Sequence, residues 1–178
     1  MSAFSSDKHH EILTLESRRK IYALVKQYSG CNFHELERKS NTPATTLQYH
    51  LHYLAKEKLI STQKDGNKIR YFSNTFSSKD KYLLALLRQR HIRHILLFLL
   101  DKERQQHEVA QFLGLSPSTV SWHLSKLVQQ KIITLVRKKE TYYRLAIPST
   151  DIIPLLITYQ ESFFDTLVDK TIDMWNFR

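Results

Sequence analysis

The chain has 178 residues, a formal net charge of +10 and a pI near 9.7, with 42% hydrophobic and 25% charged residues. These proportions, with only three glycines and four prolines, suit one ordinary domain or two small ones and argue against long disordered tracts. A single cysteine excludes an intrachain disulfide and a thiolate-rich metal site, while the positive surplus points to a polyanionic partner.

Residues 1–10, MSAFSSDKHH, lack the apolar stretch of a signal peptide and are expected to form a flexible N-terminus. Leu15 to Tyr28 places Ile21, Leu24 and Val25 at helical spacing, and Gly30 suits a helix end. Asn32 and Glu35 have the spacing of a capping box for a short helix through Arg38. Thr42 followed by Pro43 reads as an N-cap and first helical position, opening a third helix to about Lys58. Leu59 to Lys64, the turn-prone Asp65-Gly66-Asn67 and Lys68 to Ser73 then read as a hairpin. Residues 11–76 thus form a first module, ordered helix, helix, helix, hairpin.

Ser77-Ser78-Lys79-Asp80 reads as a helix start, and Lys81 to Leu100 is helical by pattern, either as one helix or as two meeting near Arg90. Arg88, Arg90, His91, Arg93 and His94 cross the middle of this apolar stretch, so it cannot span a bilayer cheaply. A stiff connection of this kind would hold the two modules at a fixed separation. The same grammar then returns: helices near His91 to Lys102 and Gln106 to Leu113, the turn Gly114-Leu115, and a third helix from Ser116-Pro117. Strands near Ile132 to Arg137 and Thr141 to Ile147 follow, joined by Lys138-Lys139-Glu140, so that residues 77–147 comprise the linker and a second module.

The two modules are a repeat. The segment from Glu35 lies over that from Glu108 without a gap, at a constant offset of about 73 residues, with identities at Glu35/Glu108, Thr46/Thr119, His50/His123, Leu51/Leu124, Leu54/Leu127, Lys58/Lys131 and Ile60/Ile133. The order with a tight turn before the third helix is that of a winged helix-turn-helix. LGLSPSTVSWHLSKLVQQKIIT, a basic turn and ETYYRL resemble winged-helix regulators of the ArsR/MarR type, in the tandem form common in archaea. The expected fold is therefore mainly α with small β-hairpin wings, two tandem winged helix-turn-helix domains and a C-terminal helix. The resemblance implies a DNA-binding transcriptional regulator whose third helices, 43–58 and 117–130, enter the major groove while the wings touch the backbone.

Helical geometry turns Leu47, Leu51 and Leu54 inward, leaving Thr45, Tyr49, His52, Tyr53 and Lys56 outward and Thr46 and Gln48 at the margin. In the second copy Val120, Leu124 and Leu127 face in; Ser118, Trp122, Ser125, Lys126 and Gln129 face out, with Thr119 and Ser121 marginal. Lys64, Lys68 and Arg70 supply cations on one wing and Arg137, Lys138 and Lys139 on the other. His50 and His123 lie at the edge of the core stripe, either as packed imidazoles or, as the resemblance implies, as phosphate contacts; His123 joins the candidate contacts. Neither third helix carries an outward arginine, the usual reader of guanine, so modest sequence specificity and steep salt dependence are expected.

From Pro148 onward two basic residues face five acidic ones, against 25 basic and 12 acidic in the first 147 positions, so duplex DNA should meet the front of the chain. Residues 148–178 carry Ile152, Ile153, Leu155, Leu156, Ile157, Tyr159, Phe163, Phe164, Leu167, Val168, Ile172, Met174 and Trp175, apolar over more than one stripe. They are expected to form a homodimerisation helix, with intrachain packing the alternative.

The histidines assemble no set of three or four metal ligands, no cofactor is expected, and no phosphate loop, nucleophile elbow or carboxylate pair suggests an enzyme. A reducing, cytoplasmic setting without membrane attachment is expected. The competing reading is a protein-interaction scaffold, for which the aromatic residues on the first third helix are the best argument.

Overall fold

In a computed structural model that describes residues 14–163 and 166–176, the chain divides into two units, one ending at Ala85 and the other starting at Leu86. The flexible start expected for residues 1–10, and Phe164 of the apolar tail, lie outside the described residues.

The first unit begins with α1 (Glu16–Gln27), whose buried Ile21 and Val25 lie four residues apart on one face. A two-residue strand β1 (Cys31–Asn32) leads into α2 (Phe33–Ser40). Asn32 caps α2: its side chain accepts from the Glu35 amide at 3.1 Å and the Glu35 carboxylate accepts from the Asn32 amide at 2.8 Å. The third helix α3 (Ala44–Lys56) starts one residue later than expected, with Pro43 itself at the N-cap. The Thr42 hydroxyl is turned back to the Ser40 carbonyl and so does not cap α3.

Strands β2 (Ile60–Asp65) and β3 (Lys68–Ser73) pair antiparallel across the two-residue turn Gly66-Asn67. Gly66 has φ of +59°, the left-handed geometry such a tight hairpin requires. The short β1 adds to the other edge of β3, giving the order β1-β3-β2. Gly30, expected at a helix end, instead carries φ of +83° in the turn entering β1 and donates its amide to the Tyr71 carbonyl. Ile21, Val25, Leu36, Leu47, Leu51, Leu54 and Ile60 form the core, and each such side chain contributes about 1.5–3 kcal/mol by leaving water.

The linker is two helices, α4 (Ser78–Leu87) and α5 (Arg90–Leu99), separated at Arg88-Gln89. Arg93, within α5, is buried and donates to the Leu87 carbonyl at 2.6 Å, which removes it from the surface charge that the sequence suggests.

The second unit repeats the plan with α5, β4 (Arg104–Gln105), α6 (Gln106–Leu113), α7 (Pro117–Gln129), β5 (Ile133–Arg137) and β6 (Thr141–Leu145), in sheet order β4-β6-β5. The duplication extends to backbone detail. Glu108 makes a capping box with Gln105 as Glu35 does with Asn32. Left-handed Asn41 and Gly114 close equivalent helices, and left-handed Lys58 and Lys131 turn the chain from each third helix into its wing.

The tail is divided at Tyr159 rather than forming one continuous helix: α8 (Ser149–Thr158) is followed by α9 (Gln160–Phe163), and α10 (Thr166–Asn176) packs on α5 and α8. Ile152, Ile153, Leu155, Leu156, Phe163, Val168 and Ile172 are buried within the single chain, so intrachain packing covers most of the apolar surface noted above. Ile157 and Met174 stay exposed.

Candidate nucleic-acid interface

Each third helix is anchored by an inward stripe, Leu47, Leu51 and Leu54 in α3 and Val120, Leu124 and Leu127 in α7, all essentially inaccessible. Their burial fixes which residues face out. In α3 these are Thr45, Thr46, Gln48, Tyr49, His52 and Lys56; Tyr49 is 59% exposed. Tyr53 differs from expectation: it is half-buried against the core, with the Arg18 guanidinium 3.9 Å above its ring. Between α3 and the wing lies an open groove of about 610 Å³, bordered by Thr45, Gln48, Tyr49, His52, Thr62 and Ile69.

In α7 the exposed residues include Ser118, Thr119, Trp122, Ser125 and Gln129, with Ser121 and Lys126 half-exposed. Ser116 caps this helix, accepting from the Thr119 amide at 3.3 Å, and its oxygen also lies 2.8 Å from the Thr119 hydroxyl and 3.1 Å from that of Ser118. These hydroxyls gather at the helix N-terminus, where positive dipole and free amides favour a phosphate. The Lys126 ammonium sits 5.5 Å from the Trp122 ring, holding a cation over an exposed aromatic face.

The two matched histidines are packed. His50 is 4% exposed and its Nε2 lies 3.2 Å from the Ser17 hydroxyl. His123 is half-buried, edge-on to His91 at 5.7 Å and to Trp122 at 4.9 Å. In both, Nδ1 is buried without a hydrogen-bond partner. Burial pushes both imidazoles below the usual histidine range, reinforced by Arg18 beside His50 and by His91 and Lys126 beside His123. Expected as a DNA contact, His123 packs between its own helix and α5, against the rings of Trp122 and His91.

The wings separate into free and committed cations. Lys64 and Lys68 on the first wing, and Arg137 and Lys139 on the second, are exposed. Lys138 is exposed but paired with Glu103. Arg70 is a correction: it is 5% exposed, its Nε donates to Asp65 at 2.7 Å and its Nη1 to the Gly30 carbonyl at 2.8 Å. It braces β3 against the turn before β1 and is withdrawn from the wing's exposed surface. Strand parity is the reason, since Arg70 shares its face of β3 with Phe72, a core residue. Sequence reasoning also passed over Thr62 and Ile69 in the first groove and the exposed Arg144 on β6. The alternation along each wing strand was the available signal.

The geometry defines two winged helix-turn-helix domains in tandem, each with its third helix bare on one side. Residues 15–84 match the family described as an N-terminal HTH domain, and residues 88–134 match a winged helix-turn-helix DNA-binding family. The chain is 31% identical over 135 residues to the uncharacterized HTH-type transcriptional regulator MJ1398 of Methanocaldococcus jannaschii, covering 76% of this chain and 34% of that protein. It therefore spans about a third of that relative's length. A solved structure, HlyU from Vibrio cholerae N16961, aligns at 25% identity over 47% of this chain and 90% of its own, with a TM-score of 0.40. Among the described residues, no group of three or more His, Cys, Asp or Glu is placed to hold a metal ion, and no helix is long and apolar enough to cross a membrane.

Proposed function

We propose that the chain is a DNA-binding transcriptional regulator that lays α3 and α7 into the major groove and its wings along the flanking phosphates. One observation carries this reading: in both units the side of the third helix left bare by core packing adjoins a wing with exposed cations. Lys64 and Lys68, and Arg137 and Lys139, are the phosphate contacts. Thr45, Thr46, Gln48, Tyr49 and His52 in α3, and Ser118, Thr119, Ser121, Trp122 and Ser125 in α7, face the base edges. These are hydroxyl, amide and aromatic groups, which suit thymine-methyl contact, backbone positioning and shape reading better than guanine selection. Lys56 and Lys126 add charge along the helices.

Nothing in this reading requires catalysis, and a DNA-binding role places the chain with the genome, in the cytoplasm of a prokaryotic cell. The chain acts as a homodimer through its tail, where Ile157, 46% exposed, gives a second copy an apolar contact point. An Ile157→Glu variant is expected to sediment as a monomer; an unchanged mass would remove the dimer from the proposal.

The test of DNA binding is a gel shift on promoter-containing and random-sequence duplexes across a salt series. Affinity should fall steeply with salt for both, with a modest preference for the promoter fragment. Salt-insensitive association, or no association at low salt, would instead favour a scaffold that binds protein through the exposed Tyr49 face.

A further inference from the structure

A separate site lies in the second unit. At the end of α5 the Phe98 and Phe112 rings stack 4.2 Å apart and only 4° from parallel. Beside them opens a cavity of about 320 Å³, walled further by Leu97 of α5 and by Leu167 and Trp175 of α10, with Arg104 at its edge. That volume lies at the lower end of the range for small-molecule pockets, about 300–1,000 Å³.

Arg104 supplies the polar element. Its side chain is 15% exposed and its guanidinium lies 4.2 Å over the Phe98 ring. The carboxylates of Asp101 and Glu108 stand 3.6 Å from its Nη atoms, too far for good hydrogen bonds. The Nε–H is buried with no acceptor at all. Buried donors are ordinarily satisfied, so an orphaned one at the lip of an apolar cavity calls for an incoming oxygen. The carboxylates of Asp101 and Glu108 flank the Arg104 guanidinium and, with Lys102 beside Glu108, leave these charges balanced, so an incoming anion gains little. A neutral carbonyl needs only the donor that Nε–H offers.

We propose that this cavity binds a small neutral carbonyl compound, an amide, ester or ketone with one ring or a short alkyl body, whose oxygen accepts from the Arg104 Nε–H. The ring or chain occupies the space between the Phe98/Phe112 stack and Trp175. Such a ligand touches α6, which packs on α7, and β4, which pairs with β6 of the wing, so it bears on the elements that position the exposed face of this unit. Binding itself does not depend on the DNA-binding reading.

Trp175 lines the cavity and the only other tryptophan, Trp122, lies on the exposed side of α7. In the full chain carrying Trp122→Phe, fluorescence therefore reports on Trp175 alone. Titration with cyclohexanecarboxamide should give a saturable change in the millimolar range, and the isosteric anion cyclohexanecarboxylate should bind about tenfold more weakly. Arg104→Gln should weaken amide binding about tenfold, the worth of one hydrogen bond. Thr171→Leu, which fills the cavity from α10 without touching any ion pair, should abolish binding and leave the unfolding temperature near that of the parent. The proposal is overturned by a missing amide response, by equal responses to amide and carboxylate, or by a response that survives Thr171→Leu. Should Arg104→Gln fail to fold, Thr171→Leu and the two probes still decide. A dimer that shields Trp175 and excludes the amide would assign the cavity to a second copy of the chain, which also overturns it.

Discussion

Replacing the exposed cations of the second wing gives the sharpest test of the DNA-facing surface. Arg137 and Lys139 are exposed, whereas Lys138 is held by Glu103 and lies 5.4 Å from the Tyr142 ring. Each phosphate contact adds about 0.9 to the slope of log affinity against log salt, equivalent to about 3.5-fold between roughly 50 and 200 mM salt. The Arg137→Ala/Lys139→Ala pair should therefore flatten the slope by about 1.8 and cut the salt-induced loss about twelvefold. Lys138→Ala alone should change the slope by clearly less than about 0.9, because its ammonium already has a carboxylate partner. Fluorescence anisotropy on a labelled duplex at five or six salt concentrations measures each slope directly. A double variant with the parental slope would refute the placement of this wing on the backbone, and so would a Lys138→Ala effect as large as either neighbour's.

Arg70→Ala should act oppositely: it strands Asp65 and the Gly30 carbonyl, destabilising the first unit by about 3 kcal/mol in chemical denaturation, while the salt slope of the folded protein stays unchanged. Gly114→Ala should cost about 1 kcal/mol, since φ of +63° is unfavourable for a side chain although open space surrounds the position; Gly114→Asn should be nearly neutral, as Asn41 holds the same place in the first unit. The depressed pKa of His50 and His123 means that the unfolded chain binds protons more readily than the folded one. Stability should be fully present above about pH 6.5 and decline as the pH falls below it toward the folded-state values, and a His50→Gln/His123→Gln variant followed by thermal melts should show a flatter acid limb.

Helix positions were legible in the sequence because 3.6-residue periodicity and caps are local signals. Ile21 and Val25, the Asn32/Glu35 box and the Ser116-Pro117 start all fell where pattern placed them. The choice between one linker helix and two meeting near Arg90 was not legible, since no proline or glycine marks the break at Arg88-Gln89. The two-residue strands β1 and β4 also escaped, being too short to show an alternation. At the candidate interface, the outward positions of α3 and α7 followed from their leucine stripes, but Tyr53 and Arg70 did not. A long side chain can fold back onto the core, as Tyr53 does under Arg18, and a wing cation can be drawn inward by a buried carbonyl, as Arg70 is by Gly30. The repeat itself conceals that second difference: β3 pairs Arg70 with Asn32, whereas β6 sets Tyr142 opposite Gln105.

Cys31, the sole cysteine, sits in β1 of the first unit with 1% of its surface exposed. A thiol so placed reacts with a disulfide reagent only when its surroundings open. The rate of modification under native conditions therefore clocks the breathing of the amino-terminal half alone, leaving the carboxyl-terminal half silent.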